Sequence, residues 1–251
     1  MIKEKHEIEI MEEAGIVLYD LFEFLEKNIK PGITTEYLND LAEDYIKDKD
    51  CILAFKNYSG FPKSICTSIN DEVVHGIPSD YVLKDKDIIS IDMGIKYKDY
   101  FVDSANTYFV GTISDNDKYL LEHTKESLYE GLNKIKPGVK LEEVCSAIEK
   151  CAKKYNLGVI RELVGHGIGK NLHEKPDIPN YYTKGLDLVL KEGMTLAIEP
   201  MLTFGKRDIY IKEDNWTIAT LDKKNSAHFE HTIVVTSSGY KILTKRWLDG
   251  Q

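Results

Sequence analysis

The sequence predicts an α/β (α+β) fold in which two similar halves each hold a pair of helices followed by strands. An internal repeat supports this, because IKPGITTEYLNDLA at 29–42 aligns without gaps on IKPGVKLEEVCSAI at 135–148. Apolar residues recur at helical spacing in the segments before the two copies, 6–28 and 116–135. Pro-Gly at the start of each copy is a stop and turn signal, so a second helix should follow it.

Strand-like stretches follow each predicted helix pair. They are rich in apolar and β-branched residues and read CILAF, KSICTSI and DIISIDMG in the first half, then GVIRELVG, MTLAIEP and HFEHTIVVT in the second. The repeat could be a common helix–turn–helix joint, but the matched order of elements favours pseudo-twofold symmetry. No low-complexity linker divides the chain, which predicts one domain over 1–251 with halves at about 1–111 and 112–251.

Composition argues against several classes of protein. A net charge of −9 is unlike the basic stripe of a non-specific DNA-binding protein. No apolar run reaches the length of a membrane span, and the start MIKEKHEIEIMEEAG is acidic where a signal peptide is apolar. The four cysteines form no CxxC pair and no dense disulfide pattern. We therefore expect a cytoplasmic monomer with reduced cysteines and with no DNA or membrane partner.

Two aspartates are predicted to face each other in DIISIDMGIKYKDYFVDSANTYFVG, residues 87–111. Alternating β-branched residues predict two strands, with a turn centred on Tyr97 and Lys98. Asp92 and Asp103 would then lie directly opposite each other on one face, with Cβ atoms about 5 Å apart. Such like charges repel unless one is protonated or a cation lies between them. We expect a metal ion there, the alternative being that one aspartate belongs to the turn and faces water.

Two glutamates occupy apolar strand-like stretches. Glu199 lies in MTLAIEPM and Glu230 lies in HFEHTIVV. A buried carboxylate needs a partner, which for either one alone could be a Lys or Arg. Together with the two aspartates and a histidine they form an oxygen-rich set that suits Mn, Fe, Co or Zn. Four carboxylates and one histidine exceed the needs of one catalytic ion, so two ions about 3.5–4 Å apart are predicted.

The histidine of this set is not fixed by spacing alone. LVGHGIGKNLHE at 163–174 places His166 and His173 among three glycines. The two histidines could share a helix face, but glycine disfavours a helix and suits backbone that approaches a ligand closely. His75 in INDEVVHGIP is the third candidate, although it could simply be a turn residue before a glycine. The roles of these three histidines stay open on these observations.

Two further histidines flank one of the glutamates. His228 and His231 lie on either side of Glu230, and both are expected on the opposite strand face, pointing away from it. The glycine-rich GHGIG does not follow a strand in the way that a nucleotide site requires, so it does not predict a phosphate-binding loop.

Six motifs, in order and at matching spacing, resemble the type I methionine aminopeptidases. They are INDEVVHGIP, SIDMG, FVDSANTYFVG, GHGIGKNLHE, AIEPM and FEHTIVV, and with IEIMEEAG they cover nearly the whole chain. The resemblance implies the pita-bread fold, with two pseudo-symmetric helix-pair-plus-strands halves around a central antiparallel sheet. The short segment between His166 and Glu199 lacks the long insertion of type II enzymes. The first cysteine is Cys51, so no N-terminal zinc finger is expected, as in the short bacterial form.

The resemblance also implies the ligands of a dinuclear metal site. Two divalent ions (Co, Mn, Fe or Zn) would be held by Asp92, Asp103, His166, Glu199 and Glu230. Asp103 and Glu230 would bridge the two ions. Asp92 would complete one ion, and His166 and Glu199 the other.

The reaction that the resemblance implies is hydrolysis of the initiator methionine from nascent polypeptide N-termini, when the second residue is small. A metal-activated water would attack the scissile carbonyl, with Glu199 as its general base. His173 would polarise that carbonyl, and His75 would hydrogen-bond the amide nitrogen after the methionine. Nascent chains are the expected partner, with transient association with the ribosome.

The methionine pocket matches the family in part. Three positions carry family residues: Tyr58, Cys66 and Trp216. Four positions differ from the residue often found there: Phe55 for cysteine, Ser59 for histidine, Phe61 for tyrosine and Leu172 for phenylalanine. These replacements keep the pocket apolar except at its rim, so methionine should still fit.

Three other functions compete with this interpretation. An aminopeptidase P or prolidase, which cleaves next to proline, shares the fold but usually carries an additional N-terminal domain. A non-catalytic relative that binds ribosomes or chromatin typically lacks the metal ligands. A creatinase-like hydrolase works without a metal. The presence of all five ligands favours the methionine aminopeptidase.

Overall fold

The computed structural model describes residues 2–246, which form four α-helices and fifteen β-strands. The helices are α1 (Lys5–Glu26), α2 (Thr35–Ile46), α3 (Asp115–Leu132) and α4 (Leu141–Lys154). The strands are β1 (Cys51–Leu53), β2 (Cys66–Ile69), β3 (Glu72–Val74), β4 (Ile88–Tyr97), β5 (Tyr100–Phe109), β6 (Gly158–Val159), β7 (Gly165–Gly167), β8 (Glu174–Ile178), β9 (Thr195–Ile198), β10 (Met201–Thr203), β11 (Ile209–Ile211), β12 (Ile218–Thr220), β13 (Ser226–His228), β14 (Glu230–Val235) and β15 (Tyr240–Ile242). Of the predicted strands, GVIRELVG pairs only at its two ends.

The two helix pairs are joined by equivalent turns, which confirms the predicted repeat. Gly32 and Gly138 both adopt positive φ, 94° and 89°, a conformation that glycine reaches without strain. The N–H of Gly32 donates to the carbonyl of Leu83 at 2.9 Å, and the N–H of Gly138 donates to the carbonyl of Leu190 at the same distance. Each half therefore ties its helix turn to the following loop in the same way.

A nine-stranded sheet forms the centre of the molecule, and every pairing in it is antiparallel. Its main path runs β1-β4-β5-β14-β9-β7-β8, with β2 beside β4 and β15 beside β14. Buried apolar residues of α1 and α2, such as Leu18 and Leu38, pack with those of β4. Those of α3 and α4, such as Leu128 and Ile148, pack with β9 and β14. The helix pairs thus cover the sheet that positions the site.

The β4–β5 hairpin differs from the predicted register. Its turn is the two-residue loop Lys98–Asp99, in which both residues have positive φ, 44° and 66°, as this kind of hairpin turn requires. Gly94 consequently pairs with Asp103, and the prediction that Asp92 lies directly opposite Asp103 is wrong. The slip is of two residues, and side chains alternate with a period of two, so both aspartates still project from the same face.

Within residues 2–246, no helix combines the length and the apolar character needed to cross a bilayer. The cysteines of this range, Cys51, Cys66, Cys145 and Cys151, are buried and form no disulfide.

Candidate metal centre and substrate cavity

Two adjacent rows of the central sheet carry the five predicted ligands. In the first row, Asp92 of β4 pairs with Ala105 of β5, which in turn pairs with Glu230 of β14. Glu199 directly follows β9 and continues this row in the register of the β9–β14 ladder. The small side chain of Ala105 leaves space between the carboxylates on either side of it.

The second row lies two residues along the same strands. His166 of β7 pairs with Ala197 of β9, which pairs with Thr232 of β14. Asp103 of β5 lies beside Thr232 and is hydrogen-bonded to it. Because residues two apart on a strand share a face, the two rows bring four carboxylates and one imidazole to the same side of the sheet.

The ligand atoms of this cluster are close and oriented. Ligand atoms of Asp103, His166 and Glu230 all lie within 4.8 Å of one another, and all three residues are buried. Nε2 of His166 lies 3.4 Å from Oδ2 of Asp103 and 3.7 Å from Oε1 of Glu199. Nδ1 of His166 lies 2.9 Å from the carbonyl of Gly167, which directs Nε2 toward the carboxylates, as in histidines that bind metals.

The charges of the cluster call for a cation. Burial, then the charges of Asp103 and Glu199, raise the pKa of Asp92 well above its usual value. Burial and the same two neighbours raise the pKa of Glu230 in the same way. Within the described chain, Oδ1 of Asp92 is buried without a hydrogen-bond partner. Burial opposes the charge of His166, but Asp103 raises its pKa to about 9. A divalent cation would stabilise these carboxylates, so the donor set fits a metal.

His75 is held in a strained turn at the edge of this cluster. It adopts a left-handed φ of 60°, which is uncommon for a residue with a side chain and is often found at functional sites. The next residue, Gly76, donates its N–H to Oγ of Ser68 at 3.1 Å and accepts from the N–H of Thr67 at 2.8 Å. A Cβ at Gly76 would lie 2.1 Å from the carbonyl oxygen of Thr67. Close packing against β2 therefore fixes the backbone turn from which the side chain of His75 projects.

His173 lies against His166. The centroids of the two imidazoles are 4.2 Å apart. The hydroxyl of Tyr58 lies 2.7 Å from Nδ1 of His173. Burial lowers the pKa of His173, with the charge of His166 as the next cause, and burial also lowers the pKa of His75. Both imidazoles are therefore neutral at neutral pH.

One cavity of about 340 Å³ joins the cluster to an apolar pocket. Every residue predicted as a ligand, substrate contact or pocket wall lines it, including Phe55 and Ser59. Phe61 and Trp216 meet edge to face with ring centroids 5.3 Å apart. Burial, then Asp92 and Glu230, raise the pKa of Cys66 well above its usual value, so its thiol stays neutral and is an apolar part of the wall.

Two of the glycines of 163–174 are required by contacts between strands. A Cβ on Gly165 would lie 2.4 Å from the carbonyl oxygen of Ala197, and one on Gly167 would lie 2.3 Å from that of Lys175. These glycines let β7 lie close to its neighbouring strands, and that contact places His166 in the cluster.

His228 also departs from expectation. Its Nε2 lies 3.4 Å from Oε2 of Glu199, so it points toward the site and not away from it. His228 ends β13 and Glu230 begins β14, and the two strands belong to different sheets, so the alternation of one continuous strand does not decide where His228 points. His231 does point away, with Nδ1 3.0 Å from Oγ1 of Thr244. The break between the two strands has no signal in HFEHTIVVT, so the sequence alone does not place His228 beside Glu199.

Comparisons with known proteins agree with this site. The model of metallopeptidase family M24 matches residues 9–237. Methionine aminopeptidase 1 of Bacillus subtilis is 51% identical over 97% of this chain and 98% of the relative. The crystal structure of methionine aminopeptidase from Thermotoga maritima has a TM-score of 0.96 at 42% identity, and that from Rickettsia prowazekii 0.95 at 41%, each covering 98% of this chain and 99% of the other. These likenesses confirm the pita-bread fold. The chain therefore belongs to metallopeptidase family M24 and, within it, to the methionine aminopeptidases.

Proposed function

We propose that the chain hydrolyses the N-terminal methionine from nascent polypeptides, preferentially when the second residue is small. The observation that supports this most strongly is the single cavity in which a buried carboxylate–histidine cluster adjoins an apolar pocket. A peptide with methionine in the pocket would present its first amide bond to the cluster. Removal of initiator methionine is the activity expected of the family to which the chain belongs.

Two divalent ions, drawn from Co, Mn, Fe and Zn, would occupy the cluster. Asp103 and Glu230 would be shared between the ions, with Asp92 on one ion and His166 and Glu199 on the other. The number of carboxylates and their mutual repulsion support two cations over one. When bound, such ions polarise a carbonyl oxygen and activate a water molecule at neutral pH.

Three side chains of the chain would act on the substrate and the water. Glu199 would accept a proton from the attacking water as general base. The hydroxyl of Tyr58 would donate to Nδ1 of His173, leaving an Nε2–H that donates to the oxygen of the scissile carbonyl. His75 would hydrogen-bond the amide nitrogen. Because burial lowers the pKa of both histidines, they would act as neutral hydrogen-bonding groups.

The pocket would recognise methionine through its shape and its aromatic wall. Phe61 and Trp216 present an edge-to-face pair, and a thioether sulfur packs favourably against such rings. Phe55 adds an apolar ring to the cavity wall, and Gly94 leaves room for it, because a Cβ at Gly94 would lie 2.8 Å from that ring. An apolar side chain suits these walls, whereas a charged one would lose its hydration without a partner.

We also propose that residues 1–251 act as a single domain and as a cytoplasmic monomer that associates transiently with the ribosome. Light scattering would measure the mass of the particle, and co-sedimentation would measure ribosome binding. A stable dimer would contradict the proposed monomer. A failure to co-sediment with ribosomes at low salt would contradict the proposed ribosome association.

A peptide assay tests the proposed activity. The purified protein is incubated with Met-Ala-Ser and with Ala-Pro-Ala, in Mn²⁺ or Co²⁺ and then with a chelator, and released amino acids are measured. Methionine released from the first peptide alone, and lost on chelation, is the expected result. Cleavage of the proline peptide would favour the aminopeptidase P or prolidase alternative. Cleavage of neither peptide by the metal-loaded protein would favour a non-catalytic function.

A further inference from the structure

His228 is a buried histidine beside the site for which the proposed mechanism has no role. It ends β13 and is 1% exposed. Its Nε2 makes no hydrogen bond to any residue in 2–246, although it lies 3.4 Å from Oε2 of Glu199. A buried polar atom without a hydrogen-bond partner is costly, so the presence of a histidine at position 228 calls for an explanation.

The position of His228 is fixed by its backbone. The hydroxyl of Thr107 accepts from the N–H of His228 at 2.9 Å and donates to its carbonyl at 2.9 Å. Oγ of Ser90 lies 2.8 Å from the same hydroxyl. His228 also pairs with Met201 of β10, two residues after Glu199. These contacts hold the imidazole beside Glu199 before any substrate arrives.

Glu199 lies between two histidines. Its Oε1 lies 3.7 Å from Nε2 of His166, on the side of the metal cluster, and its Oε2 lies 3.4 Å from Nε2 of His228. His228 is not one of the residues that line the substrate cavity, so it contacts Glu199 from outside that cavity. An imidazole nitrogen that faces a carboxylate oxygen at this distance carries a proton, because two lone pairs would repel each other.

We propose that His228 is a positioning residue: when metal ions occupy the cluster, its Nε2–H closes the present 3.4 Å contact into a hydrogen bond to Oε2 of Glu199 and holds this carboxylate with Oε1 toward the cluster. The proposal rests on the proposed function, in which Glu199 is both ligand and general base. Carboxylate ligands in metal sites are commonly fixed by such outer hydrogen bonds, and their loss typically lowers metal affinity or activity about 10- to 100-fold.

Three variants test this proposal by two readouts. His228→Leu removes the donor at similar size, whereas His228→Gln retains an N–H near the position of Nε2. His231→Gln is the matched control, because His231 is the neighbouring histidine that points away from the site. Calorimetric titration of the metal-free proteins with Mn²⁺ gives affinity and stoichiometry, and hydrolysis of Met-Ala-Ser gives kcat and KM.

For His228→Leu we expect Mn²⁺ affinity and kcat to fall about 10-fold or more, with unchanged stoichiometry and with KM within about twofold. His228→Gln and His231→Gln should stay within about threefold of the parent on each readout. Should the leucine variant fail to fold, His228→Asn replaces it, because its shorter amide cannot reach Oε2.

Three results would overturn the proposal. A glutamine variant as impaired as the leucine or asparagine variant would mean that His228 acts through packing. Loss of one bound Mn²⁺ would make His228 a metal ligand. If Mn²⁺ affinity and kcat are unchanged in the leucine or asparagine variant, which lacks the donor, His228 does not position Glu199. If the parent protein releases no methionine, the proposed function fails, and the Mn²⁺ titrations still decide the role of His228.

Discussion

Thr232 is the residue whose replacement tests the construction of the cluster most sharply. It lies in the middle of the second ligand row and is fully buried. Its hydroxyl accepts from the N–H of Asp103 at 3.0 Å, and its one hydrogen is within reach of Oδ1 of Asp103 at 2.9 Å and of the carbonyl oxygen of Asp103 at 2.8 Å. Thr232→Val removes the hydroxyl while keeping the β-branched shape that suits a strand.

The expected cost follows from these two contacts. A hydrogen bond to a charged group contributes about 1.5–3 kcal/mol to stability, and a buried donor left without a partner costs about 1–3 kcal/mol. The two terms overlap because one hydroxyl makes both contacts, so we expect the free energy of unfolding to fall by about 2–4 kcal/mol. Asp103 would also lose the contact that turns Oδ2 toward His166, so metal affinity should fall as well.

Urea unfolding of the metal-free protein, followed by circular dichroism, measures the change in stability. Thr232→Ser is the control, since it keeps the hydroxyl and loses one methyl group, worth about 1 kcal/mol. A valine variant as stable as the parent, or no less stable than the serine variant, would refute the claim that this hydroxyl supports Asp103.

Three further predictions concern the chemistry of the site. Metal affinity should rise with pH, because metal binding must displace protons from the cluster. Burial and neighbouring carboxylates raise the pKa of Asp92 and of Glu230, and Asp103, acting against burial, raises the pKa of His166 to about 9. Calorimetry in buffers of different ionisation enthalpy should show proton release on metal binding, and the absence of release would contradict this prediction. Glu199→Ala should lower kcat about 100-fold or more while the circular dichroism spectrum stays unchanged. Activity like that of the parent protein would contradict the role of Glu199 as general base. His173→Ala should lower kcat about 100-fold yet keep both metals, and loss of metal would show that the roles of His166 and His173 are exchanged.

The sequence predicts the parts of this fold that depend on local pattern. The repeated IKPG turn and the apolar spacing around it predict both helix pairs, because helix ends and amphipathic faces are set by nearby residues. The carboxylates of the site are also predictable, since Glu199 and Glu230 interrupt stretches that are otherwise apolar.

The parts that were missed depend on backbone geometry and on distant contacts. The register of the β4–β5 hairpin was wrong because Lys98 and Asp99 adopt positive φ without the glycine that usually signals such a turn. The purpose of Gly165 was missed because its neighbour, the carbonyl of Ala197, is brought there only by the sheet. The hydroxyl of Thr232 has no signal of its own in a run of β-branched residues.

The most direct test of the central claim is a crystal structure of the protein with Mn²⁺, with data collected at the manganese absorption edge. We predict two anomalous peaks among Asp92, Asp103, His166, Glu199 and Glu230, with Asp103 and Glu230 contacting both ions. A peak bound by His75 or His173, or no peak at the cluster at saturating Mn²⁺, would contradict the account.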